Sequence, residues 1–151
     1  MPDLKLIAFD AEDLAVLSAH LQDAVMVVGD VAYVPRDRRF VALTNRFDWM
    51  GALQKGEAGK DGFARRRSGL RVERVLSAQL QGINLADKDQ VLSLLAISFE
   101  PASAPAGHVI LHFAEGGAIR LNVECIEVGL ADLGAAWEAE SQPQHPDSAD
   151  T

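Results

Sequence analysis

Hydrophobic and polar residues alternate along much of the chain, a pattern that predicts β-strands with one buried face. The pattern is clearest over residues 22–49, which predict three short strands joined by two tight turns. Gly29 and Asp30 predict a two-residue hairpin loop, because glycine at its first position accepts positive φ without a steric cost. Residues 35–38 predict a type I turn with Pro35 near its start. Together these signals predict an antiparallel meander.

Several further stretches extend the predicted sheet. From residue 39 onward the chain alternates between two faces, with Val41, Leu43 and Phe47 on one and Phe40, Ala42, Thr44 and Arg46 on the other. Residues 70–81 also alternate. Residues 91–100 are apolar on both sides, which predicts a central strand buried from both directions. The segments HVILHF and GAIRLNV flank glycines at residues 116 and 117, which predicts a hairpin.

Helical spacing of apolar residues occurs near both ends of the chain. Leu14, Leu17 and Leu21 predict a helix over about residues 11–21, and Asp10 is placed to cap its first turn. A second set predicts a closing helix, weakened by two glycines, and consists of Ile126, Leu130, Leu133 and Trp137. The segment LSAHLQ at residues 17–22 recurs as LSAQLQ at residues 76–81. The first copy has helical spacing and the second alternates, which favours a chance similarity.

These elements predict a mainly β fold of the α+β class, with about seven or eight antiparallel strands, one N-terminal helix and one C-terminal helix. A barrel or sandwich of pleckstrin-homology-like architecture is the first expectation, and helices on one open antiparallel sheet are the alternative. Residues 1–137 are expected to form a single domain. Within it, residues 50–69 contain five glycines and no sustained periodicity, which predicts a mobile loop. Residues 138–151 predict a disordered acidic tail.

The composition fits a soluble globular protein of one domain, with 151 residues of which 48% are hydrophobic and 24% charged. No apolar run approaches the roughly 20 residues needed to cross a bilayer. The N-terminus lacks the positive charge and long apolar core of a signal peptide, so a cytoplasmic location without membrane contact is expected. The single Cys125 fits a reducing compartment, excludes an intramolecular disulfide and is expected to be a buried thiol.

The net charge of −8 conceals a strong asymmetry along the chain. Residues 35–74 contain eleven basic residues and five acidic ones, whereas acids dominate on both sides of this segment. Eleven of the fourteen lysines and arginines therefore lie within forty residues. This segregation is the strongest indication of function in the sequence.

No catalytic or cofactor-binding motif is present in the sequence. Nucleophile elbows, dinucleotide-binding glycine motifs and phosphate-binding loops are all absent. His108 and His112 share one face of a predicted strand but lie about 13 Å apart along it, too far for both to ligate one metal ion at ~2.1 Å. Neither a metal nor a cofactor is therefore expected, and an enzymatic role is not favoured.

The basic segment provides the candidate binding surface. Arginine side chains match the geometry of carboxylates and phosphates, and a nearby aromatic residue adds a stacking surface. The predicted binding residues are Arg36, Arg38, Arg39, Arg46, Trp49, Arg65, Arg66 and Arg67. We expect them to meet an acidic protein or a second copy of the chain, in a non-catalytic interaction module.

Three alternatives to this binding role stay open. The arginines can pair with acids of the same chain. They can bind RNA or another anion, although a sequence pI near 4.9 means that the remaining surface repels a polyanion. The chain can also be a small enzyme without a recognisable motif, which requires a concave pocket with converging polar groups.

Four segments of the chain are distinctive. They are PDLKLIAxDAEDL near the start, NRFDW at residues 45–49, ADKDxVLSLLAI at residues 86–97 and GGAIRLxVECIE at residues 116–127. These segments resemble a family of small bacterial proteins known only as a domain of unknown function and found chiefly in alphaproteobacteria. The resemblance covers about residues 2–137. It implies a cytoplasmic bacterial protein and transfers no activity, cofactor or site residue.

Overall fold

The computed structural model describes residues 4–47 and 65–133, and within them the chain forms ten β-strands and one α-helix. The strands are β1 (Lys5–Ala8), β2 (Val25–Val27), β3 (Val31–Val34), β4 (Arg39–Phe47), β5 (Arg65–Val72), β6 (Val75–Gln81), β7 (Val91–Pro101), β8 (Gly107–Phe113), β9 (Ala118–Val123) and β10 (Val128–Asp132), and the helix is α1 (Ala11–His20). The prediction of a mainly antiparallel β fold is confirmed, with two or three strands more than expected.

All ten strands belong to one sheet, in the order β1-β10-β5-β4-β2-β7-β8-β9-β6, with β3 paired to β4 beside this path. β1 and β6 form the two ends, so the described sheet is open and the expected closed barrel is not formed. The helix α1 contacts both β1 and β7, which lie five positions apart in the path, and this requires a curved sheet. One open antiparallel sheet, the alternative expectation, is therefore the better description.

The structure confirms the opening strand and the N-terminal helix. The carboxylate of Asp10 caps the helix by accepting a hydrogen bond from the Asp13 N–H at 2.8 Å. Leu14 and Leu17 are buried, and the hydroxyl of Ser18 accepts a hydrogen bond from a backbone N–H of β7 at 2.8 Å. The helix thereby covers the hydrophobic core against the concave face of the sheet. No helix in the described part of the chain is long and apolar enough to span a membrane.

The three strands expected within residues 22–49 are present, but they do not form a meander. β2 and β3 both pair with β4, β2 through Val25 opposite Asn45 and β3 through residues 31–34 opposite residues 39–42. A 3-10 turn, Val28–Asp30, joins β2 to β3 in place of the expected hairpin. β5 pairs with the other edge of β4, so β2 and β3 lie end to end along one edge of β4. β2 also pairs with β7 on its own other edge.

The second expected turn is confirmed as the connection of a hairpin. Pro35–Asp37 forms a 3-10 turn, closed by a hydrogen bond from the Arg38 N–H to the Pro35 carbonyl oxygen at 3.1 Å. Arg38 itself has a left-handed backbone with φ 53°. β3 and β4 then pair from Val34 opposite Arg39 onward.

β4 alternates between buried and partly exposed positions along its whole length. The buried, concave side carries Phe40, Ala42, Thr44 and Arg46. The outer side carries the partly exposed Val41, Leu43, Asn45 and Phe47. The two predicted faces are thus correct, and the face that contains an arginine is the buried one.

Part of the predicted loop at residues 50–69 is a strand. β5 begins at Arg65 and pairs with β4 and β10 on its two edges, so the Arg65–Arg67 triplet lies in the sheet and not in a loop. Residues 50–64 lie outside the described residues. The alternation over residues 70–81 is divided between β5 and β6 at Arg74, whose φ is 64°. The two similar six-residue segments also differ in structure, since one lies mainly on α1 and the other on β6.

The expected central strand and the second hairpin are both present. β7 lies inside the sheet, yet Val91 and Leu95 on its outer side are exposed, so the expected burial from both directions is wrong. β8 and β9 pair as a hairpin in which Leu111 lies opposite Ile119 on the concave side. Gly116 has φ 84° in the connecting turn, as the turn prediction requires.

The expected C-terminal helix is wrong over the described residues. Residues 128–132 form β10, which pairs with β1 on one edge and β5 on the other. Those pairings satisfy the backbone groups on both edges, and Val128, Leu130 and Asp132 alternate onto the concave side. Trp137 and the expected tail at residues 138–151 lie outside the described residues.

Candidate functional site

A buried ion pair lies on the concave face where β4, β5 and β10 meet. The guanidinium of Arg46 donates two hydrogen bonds to the carboxylate of Asp132, from Nε at 2.9 Å and from Nη2 at 2.8 Å. The hydroxyl of Ser68 donates a third at 2.6 Å and the Leu4 N–H a fourth at 2.9 Å. Arg66 Nε lies 3.4 Å from the same carboxylate. These five residues are called here the Asp132 cluster. They connect β4, β5 and β10 with Leu4, the residue that precedes β1.

The surroundings of Asp132 determine its pKa. Burial raises the pKa of this carboxyl group, whose side chain is only 1% exposed. The hydrogen bonds from Arg46, Ser68 and the Leu4 N–H outweigh burial and lower the pKa from 3.8 to about 2. Asp132 is therefore ionised at neutral pH.

Thr44 lies opposite Ser68, and its buried hydroxyl has no hydrogen-bond partner among the described residues.

The lowered pKa of Asp132 makes part of the stability sensitive to acid. A carboxyl group whose folded-state pKa is depressed stabilises the fold above its unfolded pKa, and this contribution is lost as the pH falls towards the folded value. We expect the free energy of unfolding in urea to fall by about 2 kcal/mol from this group between pH 3.8 and about 2. The Asp132→Asn variant lacks this component, so an equal loss in acid for variant and wild type would contradict the assignment.

A second charged group lies at the opposite end of β4. Arg39 Nε donates to both carboxylate oxygens of Glu73, at 3.0 and 3.1 Å. Arg71 Nε forms an ion pair with the same carboxylate at 2.6 Å. Two guanidinium groups thus share one carboxylate. The three side chains together therefore carry a net charge of +1.

Two exposed ion pairs lie near the same end of the sheet. Arg38 pairs with Glu124 and Arg74 with Glu127, both at 3.2 Å. The hydrogen bond and the negative charge of Glu127 raise the pKa of Arg74. Arg36 is exposed and forms no ion pair with any residue in 4–47 or 65–133. Exposed pairs of this kind contribute little to stability, because solvent and salt screen them.

Four arginines lie beside Val41, Leu43 and Phe47 on the outer side of β4 and β5. The guanidinium carbon of Arg65 lies 4.1 Å from the centre of the Phe47 ring. Arg67 Nη2 lies 3.6 Å from the carboxylate of Asp30. We call this surface the arginine face, and it consists of Arg39, Arg65, Arg67 and Arg71 with Val41, Leu43 and Phe47 between them.

The eight predicted binding residues do not form one patch. Arg39, Arg65 and Arg67 lie on the arginine face, Arg46 and Arg66 on the concave face, and Arg36 and Arg38 at the turn before β4, while Trp49 lies outside the described residues. Arg39 and Arg46 are seven positions apart on β4, about 23 Å. Arg71 is an addition to the predicted set, and its alternation with Arg65 and Arg67 along one strand is the signal that places it on their face.

A groove of about 970 Å³ runs along the outer side of β6, β7, β8 and β9. Two polar pairs lie at this groove. His112 Nε2 is 2.8 Å from Ser98 Oγ, and Arg120 Nη2 is 3.0 Å from the carboxylate of Glu100. Ile110 forms part of the apolar lining. The groove is thus a concave surface with polar groups, as the third alternative requires.

The contact between Ser98 and His112 has no local signal in the sequence. Ala96 is the residue opposite His112, so the serine lies diagonally across β7 and β8, in a register shifted by a β-bulge near Leu94. A serine beside an imidazole is the geometry of a nucleophile and its base. In the described part of the chain, however, no carboxylate orients this imidazole, and no three His, Cys, Asp or Glu side chains form a possible metal site.

Comparison with known proteins adds a family and no activity. A family model described as Protein of unknown function (DUF2948) matches residues 4–145. No curated protein and no solved structure matches the chain. The matched range includes the Asp132 cluster, the arginine face and the outer groove.

Proposed function

The chain belongs to the DUF2948 family of unknown function, and we propose that it is a non-catalytic interaction module whose arginine face binds an acidic protein. One observation carries the proposal, the position of four arginines beside three partly exposed apolar residues on one side of two paired strands. A surface with an apolar centre and a charged rim has the composition of a protein interface. The pleckstrin-homology-like analogy stays a prediction and supports no part of this proposal.

The charges of the arginine face favour a partner that brings carboxylates. Arg39 and Arg71 share the single carboxylate of Glu73, so one positive charge at this end has no counterpart within the trio. Their side chains are 44% and 49% exposed. A carboxylate of a partner can therefore approach both guanidinium groups with little desolvation, and Arg forks bind carboxylates well.

Small residues lie beside the middle of the arginine face. A Cβ atom added at Gly69 would have no heavy atom within 4 Å. Gly69 lies opposite Leu43 of β4 and Ala131 of β10. The neighbours of Leu43 on β5 and β10 are thus small, and among the described residues they leave room for an apolar side chain of a partner beside Leu43.

An acidic protein fits this face better than a nucleic acid. The arginine face borders Glu73 and Asp30, and both carboxylates repel a continuous phosphate backbone. The chain as a whole has a charge of −8, whereas nucleic-acid-binding domains are usually basic. An acidic protein can place separate carboxylates beside the arginines and apolar side chains between them.

A peptide titration tests the proposed binding. The probes are a fluorescent peptide of alternating glutamate and leucine, its lysine and leucine counterpart, and an oligouridylate RNA, each measured by anisotropy. We expect the glutamate peptide to bind at low salt and to weaken as salt screens the contacts. The Arg39→Ala/Arg71→Ala variant should bind it about tenfold more weakly, since charge-assisted hydrogen bonds are lost.

A matched arginine substitution serves as the control. Arg120→Ala also removes an exposed cation but lies at the outer groove, so binding of the glutamate peptide should be unchanged. No binding of that peptide at low salt, or equal binding of the lysine peptide, would refute the proposal. Preferential binding of the RNA would replace it with the anion-binding alternative, and a salt-sensitive dimer disrupted by Arg39→Ala/Arg71→Ala would show a second copy as the partner.

A further inference from the structure

β6 is an edge of the sheet with one side open. It ends the strand path and pairs only with β9. On its other side the Val75 N–H donates a hydrogen bond to the Arg38 carbonyl oxygen at 2.9 Å. Beyond Val75, no described strand pairs with this edge. A free row of backbone donors and acceptors is a template for another strand.

The sequence of β6 lacks the features that usually protect an edge. Natural edge strands are short or carry charges and prolines, whereas β6 has seven residues, VLSAQLQ, with neither. Leu76 and Leu80 are 46% and 41% exposed. One irregularity is present, a β-bulge between Val75 and Ser77 that leaves Leu76 without a partner on β9, so the regular ladder of β6 begins at Ser77.

The other end of the sheet shows the contrast. β1 has four residues and carries Lys5, so it is both short and charged. Three described strands, β1, β3 and β6, pair on one edge only, and β6 alone among them is both longer than four residues and uncharged. An edge of this kind indicates a strand that is paired in the working protein.

We propose that β6 pairs antiparallel with β6 of a second copy, so that two sheets join across a twofold axis. An axis at Ala78 places Leu76 opposite the partner's Leu80 and Ser77 opposite the partner's Gln79. The pairing is centred on residues 77–79, and the bulge at Leu76 lies at its margin. It leaves the contact between Val75 and Arg38 intact. This inference does not depend on the proposed function of the arginine face.

The chemistry of β6 favours a copy of the same chain over another partner. A twofold interface must be complementary to itself, and a strand without charge meets its own copy without repulsion. The axis also brings the exposed leucines together in cross-strand pairs, which stabilises a sheet. Because no ion pair is involved, the dimer should be insensitive to salt, unlike an assembly through the arginine face.

Light scattering after size-exclusion chromatography tests the pairing on the full chain. The wild type should be a dimer at both low and high salt. Ser77→Lys/Gln79→Lys should be a monomer, because like charges then face each other across the axis. Ser77→Glu/Gln79→Glu should also be a monomer, and an equimolar mixture of the two variants should restore a dimer, since each introduced lysine then faces an introduced glutamate.

The controls separate pairing from folding. Ala15→Lys/Ala19→Lys adds the same charge on the exposed side of α1 and should remain a dimer. Thermal unfolding of each variant shows that it is folded. A monomeric wild type, a salt-sensitive wild-type dimer, or a dimer that persists in folded Ser77→Lys/Gln79→Lys would overturn the proposal.

Discussion

Replacing Asp132 with alanine is expected to lower the free energy of unfolding by about 3–5 kcal/mol. The substitution leaves the guanidinium of Arg46, whose side chain is 6% exposed, without the two hydrogen bonds that compensate its burial. It also removes the acceptor for Ser68 and for the Leu4 N–H. Urea denaturation at neutral pH, monitored by circular dichroism, measures the change.

An exposed ion pair provides the matched control. Glu100→Ala breaks the pair with Arg120 on the outer side of the sheet and should cost less than about 1 kcal/mol. The double variant Arg46→Met/Asp132→Leu removes both buried charges and should recover the part of the loss caused by the unpaired guanidinium, but not the part caused by the missing acceptor of Ser68 and the Leu4 N–H. Equal losses of unfolding free energy for Asp132→Ala and Glu100→Ala would show that the buried pair contributes no more to stability than the exposed pair.

Replacing Phe40 with alanine is expected to cost about 3–5 kcal/mol, the range for a large aromatic side chain removed from a core. Phe40 is 2% exposed and is the largest of the fully buried side chains among the described residues. It lies between Tyr33 of β3 and Val72 of β5 in the sheet register. The same urea titration measures the loss.

Phe9→Ala is the control for this substitution. Phe9 is 64% exposed, so its removal should change the free energy of unfolding by less than about 0.5 kcal/mol. The pair of variants compares the same chemical change inside and outside the core. A loss below about 1 kcal/mol for Phe40→Ala would mean that the concave side of β4 is not packed as described.

The buried ion pair also determines which side chains the arginine face presents. Side chains alternate between the two sides of a strand, so a register shift of one residue exchanges the sides. The two hydrogen bonds between Arg46 and Asp132 are satisfied only when both residues point to the concave side. That register directs Arg65 and Arg67 outward. Stability and the proposed binding surface are therefore coupled through the Asp132 cluster.

Much of the fold follows from local patterns. The cap at Asp10, the helix stripe at Leu14 and Leu17, and the glycine turn between β8 and β9 depend on residues a few positions apart, and all three are confirmed. The closing helix is wrong because pairing with β1 and β5 makes residues 128–132 a strand, and of Ile126, Leu130 and Leu133 only Leu130 lies in it.

The candidate binding surface depends far more on distant pairings. The arginine triplet beginning at Arg65 is contiguous in sequence, yet strand alternation sends Arg66 to the concave face and its two neighbours outward. Arg46 can be buried because Asp132 of β10, 86 positions away in the sequence, supplies a carboxylate for it. No local pattern identifies such a partner, since many carboxylates in the chain could equally have filled that place.

The sequence by itself determined that the chain is mostly strand, that α1 follows a short opening strand, and that cations are concentrated in one segment. Only the tertiary structure decided which side of each strand is buried, which strands are neighbours and which strand edges have no partner among the described residues. The reason is physical. Alternation establishes two faces for any strand, but hydrogen bonding between strands far apart in the chain, together with burial against the core, selects the one that points inward.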